Sequence, residues 1–324
     1  MSLSWQVTRL GPPEEALSLS EQPVRAPGPG EAQVAVEAVG LNHPDLLLCA
    51  GRYQERPQLP FSPGFEAAGT VVETGPGCGV ELGQRVVVVP ELPEGGMQRS
   101  LTVPEGQLFP VPEAMPFGTA AVLHVAWSTA HAAVHHRAGL TAGEVLLVTG
   151  GSGGVGSAAV QLGKAAGAYV VATATGPRKA EACSSFGADA VVDLSSEDLV
   201  SRVRQLTDGR GADVVVDVVG LVEQLRRCVA FEGRLVVVGF AGGTIPQVPA
   251  NHVLLRNYSL VGLHLAAYRR QNPQLLREIH AELVDLWRRG VVAPLVEKLP
   301  FEQAPAALRR LADREVIGRL VLRC

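Results

Sequence analysis

The chain is poor in cysteine. Its five, Cys49, Cys78, Cys183, Cys228 and Cys324, are scattered and odd in number, which argues against a disulfide framework and against a compact metal cluster. No uncharged apolar run reaches the roughly 20 residues a bilayer-spanning helix needs, and MSLSWQVTRLGPPEE has no basic segment leading into an apolar one. Basic blocks are missing too: Lys and Arg number 28 against 32 Asp and Glu, a net charge of -4, which gives nothing for a nucleic-acid backbone. These absences predict a cytoplasmic protein with no membrane insertion, no nucleic-acid partner and no metal.

What is present is a globular chain. Hydrophobic residues make up 47% and charged residues 19% of 324 positions, and 36 glycines with 23 prolines supply turns without any fibrous period. At about 150 residues per domain, the length suggests two domains, with a single large one as the alternative.

The first third reads as β structure. QVAVEAV alternates from Gln33 to Val39, and similar runs recur at Ala67 to Glu73 and Gln84 to Val89 between Gly/Pro-rich turns. Near residue 120 the texture changes to FGTAAVLHVAWSTAHAAVHHRAGL, apolar and Ala-rich enough for packed helices. Strand and helix signals then alternate: EVLLVTG, VGSAAVQLGKAAG, AYVVATA, RKAEACSSFG, DAVVDL, SEDLVSRVRQLTD, ADVVVDVVG and RLVVVGF. β-Branched runs separated by helices predict a doubly wound parallel sheet. After NYSLVGLHL comes a long helical stretch, Pro273 to Arg289, and the tail ends in another β-like run. A nucleotide-binding segment inserted between two parts of a β-rich domain is expected, with the chemistry in a cleft at their junction.

GSGGVG at Gly151 to Gly156 has the G-x-G-x-x-G spacing directly after a strand and before a helix, the context that spacing requires. Gly151, Ser152, Gly153, Gly154, Val155 and Gly156 are therefore cofactor-binding candidates. Gly151 and Gly153 are expected to leave room beside a pyrophosphate, Gly156 to let helix and strand pack closely, and the helix N-terminus to attract anionic oxygen. The second strand runs into Thr175 with no acid for the ribose hydroxyls, and Arg178 and Lys179 follow. A 2'-phosphate pairs with such cations and is repelled by an acid, so the expected cofactor is NADPH/NADP, with solvated surface as the alternative role for either cation. Lys164 has the wrong spacing for a P-loop lysine.

GLNHPDLL, YQERPQLPFSPGFEAAGTVVETG, GSGGVG and VVVGFAGG together resemble the zinc-independent quinone oxidoreductase branch of the medium-chain dehydrogenase/reductase superfamily. The resemblance implies an α/β fold, a Rossmann doubly wound parallel sheet inserted in a GroES-like β-rich catalytic domain. Its expected boundaries are 1–123, 124–266 and 267–324. Zinc members carry a catalytic Cys before His-x-Asp and a His in PGHE; here Asn42 precedes His43, and Phe65 stands within PGFE. A catalytic zinc needs about three donors, which these residues do not supply.

The resemblance further implies site residues. Asn42 either donates its amide to a substrate carbonyl or holds nicotinamide, and Thr129 falls on the threonine that approaches nicotinamide. Tyr53 matches an aromatic near the acceptor pocket, with a core role as the alternative. His43 and Asp45 invite an acid/base reading, against a polar group satisfied at a turn. Gly239, Phe240 and Ala241 approach the nicotinamide half, or simply end a strand. Leu47 and Leu194 stand where the family often has tyrosines. The expected reaction is NADPH:quinone oxidoreduction; the alternatives are reduction of a 2-alkenal or another enone or conjugated carbonyl, and an NADPH-binding structural or regulatory role without substantial turnover. A homodimer is expected through the edge near Tyr258 to Leu265.

Overall fold

The computed structural model describes all 324 residues. They form two compact units, Met1–Val125 with Pro294–Cys324, and Ala126–Ala293.

In the first unit β1 (Ser2–Val7) pairs antiparallel with β2 (Leu17–Gln22). A larger sheet begins with β3 (Glu31–Gly40), β4 (Glu66–Thr74), β5 (Arg85–Val88), β6 (Ser100–Pro104) and β7 (Leu108–Pro110). The alternation read in the sequence is the burial pattern of β3, whose Ala32, Val34 and Val36 turn into the core while their neighbours do not. The core of this unit also holds Trp5, Phe61, Phe65, Met97 and Phe301.

The second unit is built on β8 (Val145–Val148), β9 (Tyr169–Ala174), β10 (Ala190–Asp193), β11 (Ala212–Asp217), β12 (Val229–Val237) and β13 (Ser259–Gly262). They pair in the order β10-β9-β8-β11-β12-β13, all parallel. VLLV of β8 is buried throughout, as a central strand covered on both faces must be. The polypeptide then returns to the first unit: β14 (Val296–Pro300) pairs with β15 (Arg319–Arg323), and β15 runs antiparallel to β3.

Residues 267–293, expected with the C-terminal part of the catalytic domain, lie in the second compact unit. The Pro273–Arg288 helix buries Leu276, Ile279 and Leu283 there, His131 Nε2 lies 2.9 Å from Glu282 Oε2, and Gln161 bonds Ala293 through both its amide atoms. The Ala-rich stretch is helical as expected, with Phe117–Val122 and Ser128–His131 α-helical and Leu123–Trp127 and Ala132–Arg137 π-helical. Such widened turns are rare and recur near functional groups. No helix is long and apolar enough to cross a membrane.

Candidate functional site

In the second unit the turn after β8 is pinned to β9: Gly150 N donates to Thr173 Oγ1 at 3.1 Å and Gly151 N to Thr173 O at 2.9 Å. The Gly154–Ala165 helix then starts from Gly153 with no side-chain cap and no acid in its first turn. Its first N–H groups and dipole are thus left for an anion.

The three glycines differ in purpose. A Cβ on Gly156 would stand 2.1 Å from Gly150 O, so this position must be glycine for the helix to cross the turn. On Gly151 it would meet Ala172 Cβ at 2.7 Å and Cys183 Sγ at 3.0 Å, so packing against β9 and the following helix also requires a bare position here. On Gly153 the nearest atom would be Gly150 O at 3.5 Å, an ordinary contact, so packing within the chain does not itself require glycine there. Ser152 is buried; Gly154 and Val155 are half-buried.

Beyond β9, Thr175 is exposed and Gly176 has φ +86, leading into the Pro177–Ser185 helix. Arg178 is exposed and Lys179 half-buried in its first turn, where cations oppose the helix dipole unless an anion covers them. Sequence reading missed Asp193 nearby. Its Oδ1 accepts from Ser195 Oγ at 2.7 Å, Ser195 N at 3.0 Å and Gly176 N at 2.8 Å, bonds that hold its pKa below the usual carboxylate value. The carboxylate clasps the turn. Leu194 is half-buried against the unit's core, and Lys164 pairs with Asp189 at 2.7 Å.

At the same end of the sheet Thr149 Oγ1 donates to Asp217 Oδ1 at 2.9 Å and accepts from Val218 N at 2.9 Å. Asp217 Oδ1 also accepts from Val219 N and Gly220 N. Burial pushes its pKa up, and these N–H groups oppose that. The clasp fixes the loop after β11, onto which Ala241 N and Gly242 N donate at Val218 O and Val219 O. Gly239, Phe240 and Ala241 are thereby placed, with Phe240 37% exposed. Thr129 is half-buried between the two π-helical segments.

In the first unit Asn42 precedes the His43–Cys49 helix, and only 3% of it is exposed. Asp45, fully buried, accepts Asn42 N through Oδ2 at 2.8 Å and Gly64 N through Oδ1 at 3.0 Å. The Asn42 side chain donates through Nδ2 to Gly40 O at 3.2 Å and to Glu66 Oε1 at 3.1 Å. Glu66, also fully buried, receives Arg319 Nη2 at 2.6 Å and Val125 N at 2.7 Å. Burial pushes the Glu66 pKa up while Arg319 and the N–H donors pull it back. Asp45, with only partial compensation, is pushed up to about 7 by burial. Neither Glu66 nor Arg319 was singled out from the sequence; a charge inside EAAGTVV and another opening RLVLR were the available signals.

Tyr53 is buried, its ring edge-on to Phe65 at 5.1 Å between centroids, so it serves the core as well as any pocket. His43 is half-buried at the start of its helix, and burial lowers its pKa, with Arg314 adding to the effect. Leu47 packs on the core. No group of three or more His, Cys, Asp or Glu side chains is arranged to hold a metal ion.

A family model described as alcohol dehydrogenase GroES-like domain matches residues 28–113, and one described as zinc-binding dehydrogenase matches 154–281. Quinone oxidoreductase-like protein 2 of Bos taurus is 36% identical over 311 residues, covering 94% of this chain and 88% of that protein. A solved quinone oxidoreductase of Pseudomonas syringae is 30% identical with a TM-score of 0.94, each chain covered fully. The quinone oxidoreductase of Escherichia coli, solved in complex with NADPH, is 28% identical with a TM-score of 0.93, covering 99% of this chain and 100% of that one.

Proposed function

Because the chain belongs to the zinc-independent quinone oxidoreductase branch of the medium-chain dehydrogenase/reductase superfamily, we propose that it passes hydride from NADPH to a quinone. One observation carries this reading: Asn42 and Phe65 stand where a catalytic zinc would need donors, while the other unit keeps an uncapped helix N-terminus behind Gly153.

The bound NADPH supplies the hydride. The N–H groups at the start of the Gly154–Ala165 helix hold the pyrophosphate, and Arg178 and Lys179 take the 2'-phosphate. Thr129 and Phe240 orient the nicotinamide, Asn42 fixes a polar edge of the reacting ligands, and Tyr53 with Phe65 walls the acceptor side. No side-chain nucleophile is required, and solvent supplies the proton that completes the quinol. The protein is a homodimer in this reading, joined through β13. That strand is the unpaired edge of the parallel sheet, and beside it Leu254 and Leu255 are 75% and 74% exposed.

Leu47, in place of a pocket tyrosine, favours a second reading with a 2-alkenal or enone as acceptor. Parallel initial rates with NADPH and NADH against quinones and 2-alkenals separate the two. Fastest turnover with NADPH and a quinone is expected, and turnover confined to 2-alkenals contradicts it.

A further inference from the structure

Thr175 and Gly176 join β9 to the Pro177–Ser185 helix, whose first turn carries Arg178 and Lys179. Packing does not set this turn. Gly176 stands at φ +86, and a Cβ there would have nothing within 4 Å. The helix has no side-chain cap and no acid in its first turn, so two cations sit at the positive end of its dipole. A turn so loosely bounded needs a tie from outside, and Asp193 at the end of β10 supplies one, its Oδ1 accepting Gly176 N at 2.8 Å. The tie is itself rigid. Asp193 lies opposite Ala174 in the β9–β10 ladder, and Leu194 N donates to Ala174 O at 2.9 Å. Asp193 N donates to Glu197 Oε2 at 2.8 Å, and Asp193 Oδ1 also takes Ser195 N and Ser195 Oγ. These donors lower its pKa and keep the carboxyl ionised at neutral pH. On its other side the end of β9 is tied to the phosphate turn, since Thr173 accepts from both Gly150 N and Gly151 N.

The pyrophosphate and the 2'-phosphate of one cofactor are joined through a single ribose, so a chain that binds both must hold its two anion sites in register. A register set before binding costs less ordering when the ligand arrives. We infer that Asp193 is a positioning residue for the 2'-phosphate: by holding Gly176 N it fixes where the Pro177–Ser185 helix begins, and so keeps Arg178 and Lys179 in register with the phosphate turn. All of these residues belong to the second unit. This rests on the reading that Arg178 and Lys179 take the 2'-phosphate. NADH lacks that phosphate, so losing the tie costs affinity for NADPH and spares NADH.

The test is the Kd of NADPH and of NADH for the full chain, read from the fluorescence of the bound reduced nicotinamide, in the wild type, Asp193→Ala, Asp193→Asn and R178A/K179A. D193A is expected to weaken NADPH roughly tenfold and NADH less than about twofold. D193N keeps an oxygen for Gly176 N and is expected to hold the wild-type preference within about threefold. Equal weakening of both cofactors by D193A, or of neither, overturns the positioning role, and so does a D193N that loses the preference as fully as D193A. If R178A/K179A still abolishes the preference in that case, the reading of the two cations stands without Asp193. A wild type that does not prefer NADPH, or an R178A/K179A variant that keeps the preference, overturns that reading and the inference with it. Should D193A fail to fold, D193S draws the acceptor back by one bond from Gly176 while leaving an oxygen for the Ser195 turn. The same loss of preference is then expected, and a wild-type ratio refutes the inference.

Discussion

Asp45 has two N–H partners and no exposure, and its carboxyl is pushed by burial from 3.8 to about 7. Between those values the folded chain keeps a proton that the unfolded chain has released. The contribution of this group is therefore most favourable near pH 4, is lost as pH rises to about 7, and is level above that. The full penalty is on the order of 4 kcal/mol. Urea unfolding at both ends of this window is expected to show the wild type losing more stability with rising pH than Asp45→Asn, by a few kcal/mol; equal losses would contradict the assignment. The Asn42, Asp45, Glu66 and Arg319 cluster also marks where single-residue reading stops. Asn42 was legible because it replaces a metal ligand in a motif. Its partners were not, since Glu66 and Arg319 are 253 residues apart and are brought together by the pairing of both β4 and β15 with β3.

Elements were more legible than their partners. Period-two alternation announced β3, and β-branched runs announced β8 to β12, because burial on one or both faces writes directly into residue type. The amphipathic Pro273–Arg288 helix was evident as a helix, but its apolar stripe does not say which unit it covers, and it lies in the second unit. The π-helical turns left no trace, since an Ala-rich apolar run suits i→i−4 and i→i−5 bonding alike. The strand-loop-helix after β8 gives a sharper case, where spacing identified the glycines but only packing assigns their tasks. Gly153→Ala has space in the folded chain. It is expected to hold its melting temperature within a few degrees while weakening NADPH roughly tenfold by crowding the anion. Gly156→Ala forces a Cβ onto Gly150 O and is expected to lower the melting temperature as well. Thermal melts with cofactor titration decide it, and equal melting temperatures for the two variants would contradict the division of labour.

At the scale of the molecule, each unit encloses its own core, and the first is closed by the β15 strand that returns after the second. The dinucleotide loop lies in the second unit and the Asn42 cluster in the first. The direct measurement is the loss of reduced-nicotinamide absorbance by chelator-treated protein, with NADPH and a quinone, before and after adding zinc. Quinone-dependent NADPH oxidation is expected at the same rate with and without zinc. NADPH oxidation that appears only on adding zinc, or tight NADPH binding with no oxidation across a panel of quinones, would contradict it.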